Sequence, residues 1–130
     1  MKALAWPARG DIWIAHLEPR QGADVGKQRP VLILQSDLLN SLSHPTAVII
    51  PLSSQEQLEN RLRYRIVNEC LKPGFAFALI DQIRAVSVTL RLKKRIGEVA
   101  PAELLGIGLR VAETLDLPLK PPWRLRKRVR

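Results

Sequence analysis

Apolar residues in this sequence come in runs of strand length, and this spacing limits the fold more than any other feature. Six such runs are present, at 11–17, 31–35, 46–52, 63–67, 75–80 and 95–99. Short runs bounded by glycine, proline and charged residues are typical of β-strands. Residues 31–34 and 47–50 are apolar without alternation, as in strands covered on both faces, whereas 61–66 alternates and sets three arginines on one exposed face. The sequence predicts a compact sheet or barrel.

One segment has a helical period, and it follows the last predicted strand. After Pro101, which suits a first helical turn, apolar residues recur at spacings of three, four and seven up to Leu115. Gly106 and Gly108 each cost about 1 kcal/mol relative to alanine in a helix. The sequence therefore predicts a C-terminal helix that is either weak or closely approached by a neighbour. A short helical turn is expected at 37–42, and a turn at 73–74 between the fourth and fifth strands.

Charge is unevenly distributed along the chain. The 130 residues carry 21 lysines and arginines against 12 aspartates and glutamates, a formal net charge of +9. Six of the basic residues fall within 120–130, after a proline-rich stretch that disfavours a helix. The length suits one domain, so we expect a folded domain over 1–117 and a basic, flexible tail over 118–130. So basic a chain favours a polyanionic partner.

The single cysteine and the lengths of the apolar runs exclude several protein classes. Cys70 alone builds neither a disulfide framework nor a zinc site, and we interpret it as an ordinary thiol. The apolar runs fall short of the roughly 20 residues of a membrane span. Pro7 and Asp11 interrupt any export signal near the start. We therefore expect a cytoplasmic protein that does not enter a membrane.

The segment 20–30 is a candidate functional loop. It places two glycines, three basic residues and one acidic residue between two predicted strands, where flexible backbone can wrap a phosphate. From composition alone, a solvated surface loop is the simpler interpretation. The segment lacks the spacing of a P-loop or a dinucleotide fingerprint, so composition leaves both interpretations open.

Several short motifs follow one another in an order that matches a known family. They are Gly10-Asp-Ile-Trp13, Glu18-Pro19, Gly22, Gly26-Lys-Gln-Arg-Pro-Val31, Pro51-Leu-Ser-Ser54, Asp81-Gln-Ile-Arg84, Arg91-Leu92 and Ile96-Gly97. Each motif is weak alone, but their order and spacing over about residues 9–116 make chance agreement improbable. In these motifs the sequence resembles the MazF/PemK family of toxins.

The resemblance implies a fold, an activity and partners. The implied fold is mainly β, a small CcdB/PemK-like barrel with a C-terminal helix, and it forms a homodimer. The implied activity is cleavage of single-stranded mRNA at short motifs without a metal or other cofactor, and the usual partner is a cognate antitoxin. Metal-free cleavage proceeds by attack of the 2′-hydroxyl on the adjacent phosphorus, which needs a base, a cation and a proton donor.

Three residues are expected to take part in this reaction. Arg29 matches the family's catalytic arginine, and its planar guanidinium can hold two phosphoryl oxygens; the alternative is an ion pair with Glu18 or Asp24. Ser53 stands where the family most often carries a catalytic threonine; the alternative is a hydroxyl that only caps a backbone amide. Asp24 matches an acidic loop position that some members use, and it can accept the 2′-hydroxyl proton.

Further polar residues are expected to contact the RNA. The predicted contacts are Lys27, Gln28, Ser54, Arg61, Arg63, Arg65, Asp81, Gln82 and Arg84. For Asp81 the favoured interpretation is structural, a carboxylate that holds Arg84 or a backbone amide in place. Two variants of the family's active site are missing, because this chain has Ala23 and Leu79 where other members carry a histidine and an arginine. We interpret His16 and His44 as structural or solvent-exposed.

Two other functions are compatible with the sequence. A non-catalytic RNA-binding β-barrel would share the charge and the strand count, and serine in place of threonine at position 53 permits it. A CcdB-like topoisomerase poison would share the fold, but its activity depends on a tryptophan-containing C-terminal end, whereas Trp123 lies in the basic tail. RNA cleavage separates the ribonuclease from both alternatives.

Overall fold

The computed structural model describes residues 6–17, 28–56 and 58–118. The strands are β1 (Asp11–His16), β2 (Gln28–Ile33), β3 (Thr46–Ser53), β4 (Arg63–Val67), β5 (Phe75–Leu79), β6 (Arg84–Ser87) and β7 (Leu92–Glu98). The helices are α1 (Asp37–Asn40), α2 (Val88–Arg91) and α3 (Pro101–Thr114), and a 3-10 turn covers Ile80–Gln82. Of these helices, none is long and apolar enough to cross a membrane.

All seven strands belong to one antiparallel sheet. Its order is β4-β5-β3-β2-β1-β7, and β6 pairs with the first half of β3. The prediction of a mainly β fold with a C-terminal helix is confirmed. Within the described residues β4 and β7 end the order without pairing to each other, so the sheet is open and the description as a barrel is only approximate.

The two faces of the sheet are covered by different apolar clusters. One cluster packs under α3 and includes Ile12, Leu32, Ile50, Ile66 and Ile107. The cluster on the other face is built from Trp13, Val31, Ile33, Ile49 and Val86. Because neighbouring residues of a strand point to opposite faces, β2 and β3 contribute to both clusters. This explains why 31–34 and 47–50 are apolar without alternation.

Helix α3 begins at Pro101 as expected, and one of its glycines is closely approached. A Cβ atom built at position 106 would lie 2.6 Å from Tyr64 Oη and 2.9 Å from the ring carbon Cε2. Tyr64 belongs to β4 and packs against the cluster under the helix. The prediction of a close neighbour is therefore confirmed at Gly106, where the absent side chain lets the helix reach the sheet.

The Asp-Ile-Trp motif at the start of β1 builds a buried polar contact. The buried Asp11 accepts hydrogen bonds through Oδ2 from the N–H of Ala8 at 2.9 Å and from Trp13 Nε1 at 3.1 Å. Its Oδ1 accepts from Arg95 Nε at 3.0 Å, which ties β1 to β7. The Asp11 carboxylate raises the pKa of the Arg95 guanidinium. The motif therefore has a structural role at this edge of the sheet.

The loops between strands follow the sequence expectations in part. Pro73 and Gly74 lie in the loop over 68–74 that joins β4 to β5, and Gly74 has a φ of 118°. The helical turn expected at 37–42 is α1, shorter than predicted. In α1, Asp37 Oδ1 accepts hydrogen bonds from Asn40 Nδ2 at 3.0 Å and the Arg9 N–H at 2.8 Å. These bonds lower the pKa of Asp37, the Asn40 bond most.

Candidate active site

A cleft opens where β3 changes its partner. β2 and β3 pair from Ile33↔Ile49 to Val31↔Pro51, and there their pairing ends. The next residues of β3 pair with β5 instead, Ser53 lying opposite Phe77. The first residues of β2 remain paired with β1. The two strands therefore separate at one end of the sheet, and a cleft of about 770 Å³ lies there.

The cleft has an apolar floor and polar walls. The floor includes Ile14, Pro30, Leu52 and Ala76. One wall is formed by the separated ends of β2 and β3 and consists of Gln28, Arg29, Ser53, Ser54 and Gln55. The other wall lies beyond β1 and consists of Lys94 and Ile96 of β7 with Cys70, Leu71 and Lys72 of the loop 68–74.

The structure brings the predicted arginine and serine to the same wall. Arg29 comes two residues before Val31, and Ser53 comes two residues after its partner Pro51. Since alternate residues of a strand share a face, the two residues have the same orientation, opposite to that of their strand neighbours on the cleft floor, and they line the cleft where the strands end. Arg29 is exposed and Ser53 is half-buried. Their alignment follows from backbone register rather than from a contact between the two side chains.

The Ser53 hydroxyl is held by the backbone that follows it. Its Oγ accepts a hydrogen bond from the Gln55 N–H at 3.2 Å. A hydroxyl has one hydrogen to donate and two lone pairs, so the hydroxyl hydrogen remains available to a ligand. The interpretation of Ser53 as a hydroxyl that caps a backbone amide therefore describes the contact seen, and the same residue lines the cleft. The alternative of an ion pair between Arg29 and Glu18 or Asp24 falls outside the described residues.

The cleft is positively charged. Its lining contains the cations Arg29, Lys72 and Lys94, and within the described part of the chain no carboxylate lines it. Across the same described ranges, no group of three or more histidine, cysteine, aspartate or glutamate side chains is arranged to hold a metal ion. This arrangement suits an anion such as a phosphodiester, which guanidinium and ammonium groups bind strongly.

Most other predicted RNA contacts lie outside the cleft. Asp24 and Lys27 lie outside the described residues. Arg61 pairs with Glu113 of α3 at 3.0 Å. The Arg65 guanidinium lies 4.6 Å from the centroid of the Phe75 ring. Of the predicted set, the structure places Gln28 and Ser54 in the cleft beside Arg29 and Ser53.

The motif that contains Asp81 is held by β4. Asp81 Oδ1 accepts from Arg63 at 2.7 Å, and both Asp81 and Gln82 are exposed in the 3-10 turn. The structural interpretation of Asp81 therefore fits, although its partner is Arg63 and not Arg84. Arg84 lies opposite Ile49, four residues before Ser53, or about 13 Å along β3 at 3.3 Å per residue.

Sequence reasoning missed several residues of the cleft. Gln55, Cys70 and Lys72 line it, although none falls in a motif that points there. Burial raises the pKa of the Cys70 thiol. The interpretation of Cys70 as an ordinary thiol stays a prediction, and it overlooked the position of this residue in the cleft. His16, interpreted as structural, lies opposite the cleft residue Gln28 and two residues beyond Ile14 on the same strand.

Together, the fold and the cleft define a small protein with one antiparallel β-sheet, a C-terminal helix and a cationic cleft at one end of the sheet. The chain belongs to the family described as PemK-like, MazF-like toxins of type II toxin–antitoxin systems, whose family model matches residues 8–115. The resemblance read from the short motifs is thereby confirmed.

Individual relatives agree with this assignment. The chain is 35% identical over 81 residues to Endoribonuclease EndoA of Bacillus subtilis, covering 60% of this chain and 68% of that protein. It is 28% identical over 116 residues to Endoribonuclease MazF9 of Mycobacterium tuberculosis, covering 84% of this chain and 96% of the relative. Among solved structures, a MazE-MazF complex from Deinococcus radiodurans matches with a TM-score of 0.72 at 17% identity, over 88% of this chain and 99% of that one.

Proposed function

We propose that this protein is the toxin of a toxin–antitoxin system and that it cleaves single-stranded mRNA without a metal ion. The observation that carries the proposal is the cleft, where Arg29 and Ser53 come together on one wall and no described lining residue is acidic. The relatives EndoA and MazF9, which are named endoribonucleases, support the same activity. The substrate strand runs through the cleft with the scissile phosphate beside Arg29 and Ser53.

The cleavage step is a transesterification. The 2′-oxygen of the ribose forms a bond to the adjacent phosphorus, the bond from phosphorus to the 5′-oxygen breaks, and a 2′,3′-cyclic phosphate remains. Negative charge accumulates on the phosphoryl oxygens in the transition state, and the Arg29 guanidinium neutralises it. The Ser53 hydroxyl donates a hydrogen bond to a phosphoryl oxygen. The departing 5′-oxygen takes up a proton from water.

The proton of the 2′-hydroxyl needs an acceptor, and we assign this role to Asp24. The competing assignment is His16, because β1 places it opposite Gln28 at the mouth of the cleft and histidine is the most frequent general base in enzymes. Two variants separate the assignments, Asp24→Asn and His16→Gln. The variant that has lost the base retains RNA binding while its kcat falls about 100-fold or more.

Partners and location complete the proposal. The protein acts in the cytoplasm as a homodimer formed by the domain over 1–117, and the tail over 118–130 adds basic charge. A cognate antitoxin inhibits it by placing an acidic segment in the cationic cleft, in competition with RNA. A solved mycobacterial endoribonuclease in complex with its cognate antitoxin, which shares the fold at a TM-score of 0.68, supports such a partner.

The experiment that tests the proposal incubates purified protein with a long single-stranded RNA in EDTA and maps the ends. Wild type should give discrete cuts with cyclic-phosphate ends. Arg29→Ala should abolish them, and Ser53→Ala should reduce kcat by about 100-fold or more, as loss of a single transition-state donor does. Arg61→Ala is the matched control, because it removes the same side chain outside the cleft.

The outcome decides between a ribonuclease and a binding module. Intact RNA in every lane, from a folded protein that still retards RNA on a gel, would refute the catalytic proposal and leave a non-catalytic RNA-binding protein. Inhibition of a topoisomerase without RNA cleavage would favour the CcdB-like alternative. Equal losses for Arg29→Ala and Arg61→Ala would show that the cleft is not the centre of the reaction.

A further inference from the structure

The far wall of the cleft, formed by β7 and the loop 68–74, is fixed by specific contacts. Asn68 Nδ2 donates to the carbonyl oxygen of Glu98 at 2.7 Å, and Asn68 Oδ1 accepts from the Cys70 N–H at 3.0 Å. Cys70 packs directly on β7 at Gly97, where a Cβ atom would lie 2.7 Å from Sγ. The loop is thereby held against the strand, and the residues that follow Cys70 have a defined position in the cleft.

This wall carries two lysines. Lys94 of β7 lies opposite Ile14, a residue of the cleft floor, and Lys72 lies in the loop 68–74. Both are exposed. By contrast, Arg61, Arg63 and Arg95 are each paired with a carboxylate. Among the described residues, neither Lys72 nor Lys94 has an ion pair or a hydrogen bond through its side chain, so both ammonium groups are free to bind an anion.

We propose that Lys72 and Lys94 form a phosphate clamp, which binds the RNA phosphates on either side of the scissile one. The inference rests on the proposed ribonuclease function and adds substrate-binding residues to the same cleft. Arg29 and Ser53 act on the scissile phosphate from one wall, and the clamp holds the neighbouring phosphates from the other. A strand lying between the two walls is thereby bound along the length of the cleft, and the clamp contributes affinity rather than catalysis.

The chemistry of the clamp differs from that of Arg29. An ammonium group is a compact point charge that binds phosphate oxygens without a fixed orientation. Contacts to the phosphate backbone carry no sequence information and make affinity depend on salt. Loss of either lysine should therefore raise KM for RNA of any sequence, whereas kcat and the cleavage motif stay unchanged.

The test measures binding separately from cleavage. The probe is a fluorescent single-stranded RNA in which every 2′-hydroxyl is replaced by fluorine, because this strand lacks the attacking group. Its Kd is measured by anisotropy over a series of salt concentrations for wild type, Lys72→Ala, Lys94→Ala and Lys93→Ala. Lys93 is the matched control, because it precedes Lys94 in β7, is exposed, and lies outside the cleft.

Lys72→Ala and Lys94→Ala should each weaken binding about twofold to fivefold at low salt, the upper part of the range for one solvated charge pair. Each should also reduce the slope of log K against log salt by about 0.7, the value for one phosphate contact with a single strand. Lys93→Ala should change Kd by less than about twofold. With cleavable RNA, KM should rise by the same factor as Kd while kcat is retained.

The failures of the two proposals are distinguishable. If wild type binds the probe but cleaves no RNA, the ribonuclease proposal fails while the salt slopes still measure the clamp. If Lys93→Ala weakens binding as much as the two clamp variants, affinity follows net charge and the clamp is refuted. It is also refuted if the salt slope is the same in all four proteins, if wild type does not bind the probe, or if kcat falls while KM is unchanged.

Discussion

Gly106→Ala and Gly108→Ala make the same change two residues apart in α3, and the structure predicts that only Gly108→Ala increases stability. A Cβ atom at position 108 would lie 3.7 Å from Arg9 Nη2, an ordinary van der Waals distance. At position 106 it would lie 2.6 Å from Tyr64 Oη and 3.0 Å from Cζ. Arg110 of the same helix lies 5.4 Å from the centroid of the Tyr64 ring, which limits where the ring can move.

The expected changes in the free energy of unfolding follow from two contributions. Replacing glycine by alanine inside a helix contributes about 1 kcal/mol of stability, and this term is common to both variants. Forcing a methyl group into a packed contact costs about 1–3 kcal/mol, and this term applies only at position 106. Gly108→Ala should therefore raise the free energy of unfolding by about 1 kcal/mol, whereas Gly106→Ala should leave it unchanged or lower it by up to about 2 kcal/mol.

The assay is urea unfolding followed by circular dichroism, with equal m-values required before midpoints are compared. The difference between the two variants, about 1–3 kcal/mol, isolates the contact with Tyr64 because the helix term cancels. Tyr64→Leu removes the aromatic ring, so Gly106→Ala should become stabilising in that background, as a double-mutant cycle measures. If Gly106→Ala stabilises the wild-type protein as much as Gly108→Ala, the close approach of the ring is refuted.

Three further predictions concern polar groups. Asp11→Ala leaves the buried Trp13 Nε1 without its acceptor and should lower the free energy of unfolding by about 2 kcal/mol; an unchanged urea midpoint would contradict this role. The pKa of Asp37 is lowered in the folded state. The ionised Asp37 carboxylate therefore stabilises the fold above the unfolded pKa, and this stabilisation is lost as pH falls through the folded pKa. The Tm difference between wild type and Asp37→Ala should be largest near pH 7 and shrink below about pH 4. Burial raises the pKa of the Cys70 thiol, so iodoacetamide should alkylate the native protein more slowly at pH 7.5 than the urea-unfolded protein, and equal rates would contradict the burial.

Strands and helices in which apolar residues recur at regular spacing were predictable from the sequence. β4 was predicted with its observed bounds, because polar and apolar residues alternate along it, and α3 was predicted from its apolar spacing. β6 was missed, because Arg84–Ser87 is short and contains only one buried residue, Val86. β2 and β7 begin three residues earlier than predicted, since the polar residues at those ends pair by backbone hydrogen bonds that hydrophobicity does not reveal.

The candidate site was predictable only where a motif marked it. Arg29 and Ser53 were found through the family's motifs, and the register of β2 and β3 explains why they line the same wall of the cleft. Lys72 and Cys70 belong to no motif, and they reach the cleft because Asn68 and Gly97 dock the loop 68–74 on β7. Contacts between residues so far apart in sequence leave no local pattern.

The position of Ser53 is set by backbone pairing, and this bears on the prediction that Ser53 stands where the MazF/PemK family most often carries a threonine. Ser53 pairs with Phe77 across the sheet, and its Oγ accepts the Gln55 N–H. Threonine offers the same hydroxyl to that N–H, and its extra methyl group only narrows the choice of rotamer. In this protein the pairing of β3 with β5 and the hydrogen bond from the Gln55 N–H restrict the serine hydroxyl much as the methyl group restricts that of threonine. Serine and threonine at position 53 therefore place the hydroxyl alike, on the cleft wall that also carries Arg29, because this position is set by the point at which β3 leaves β2.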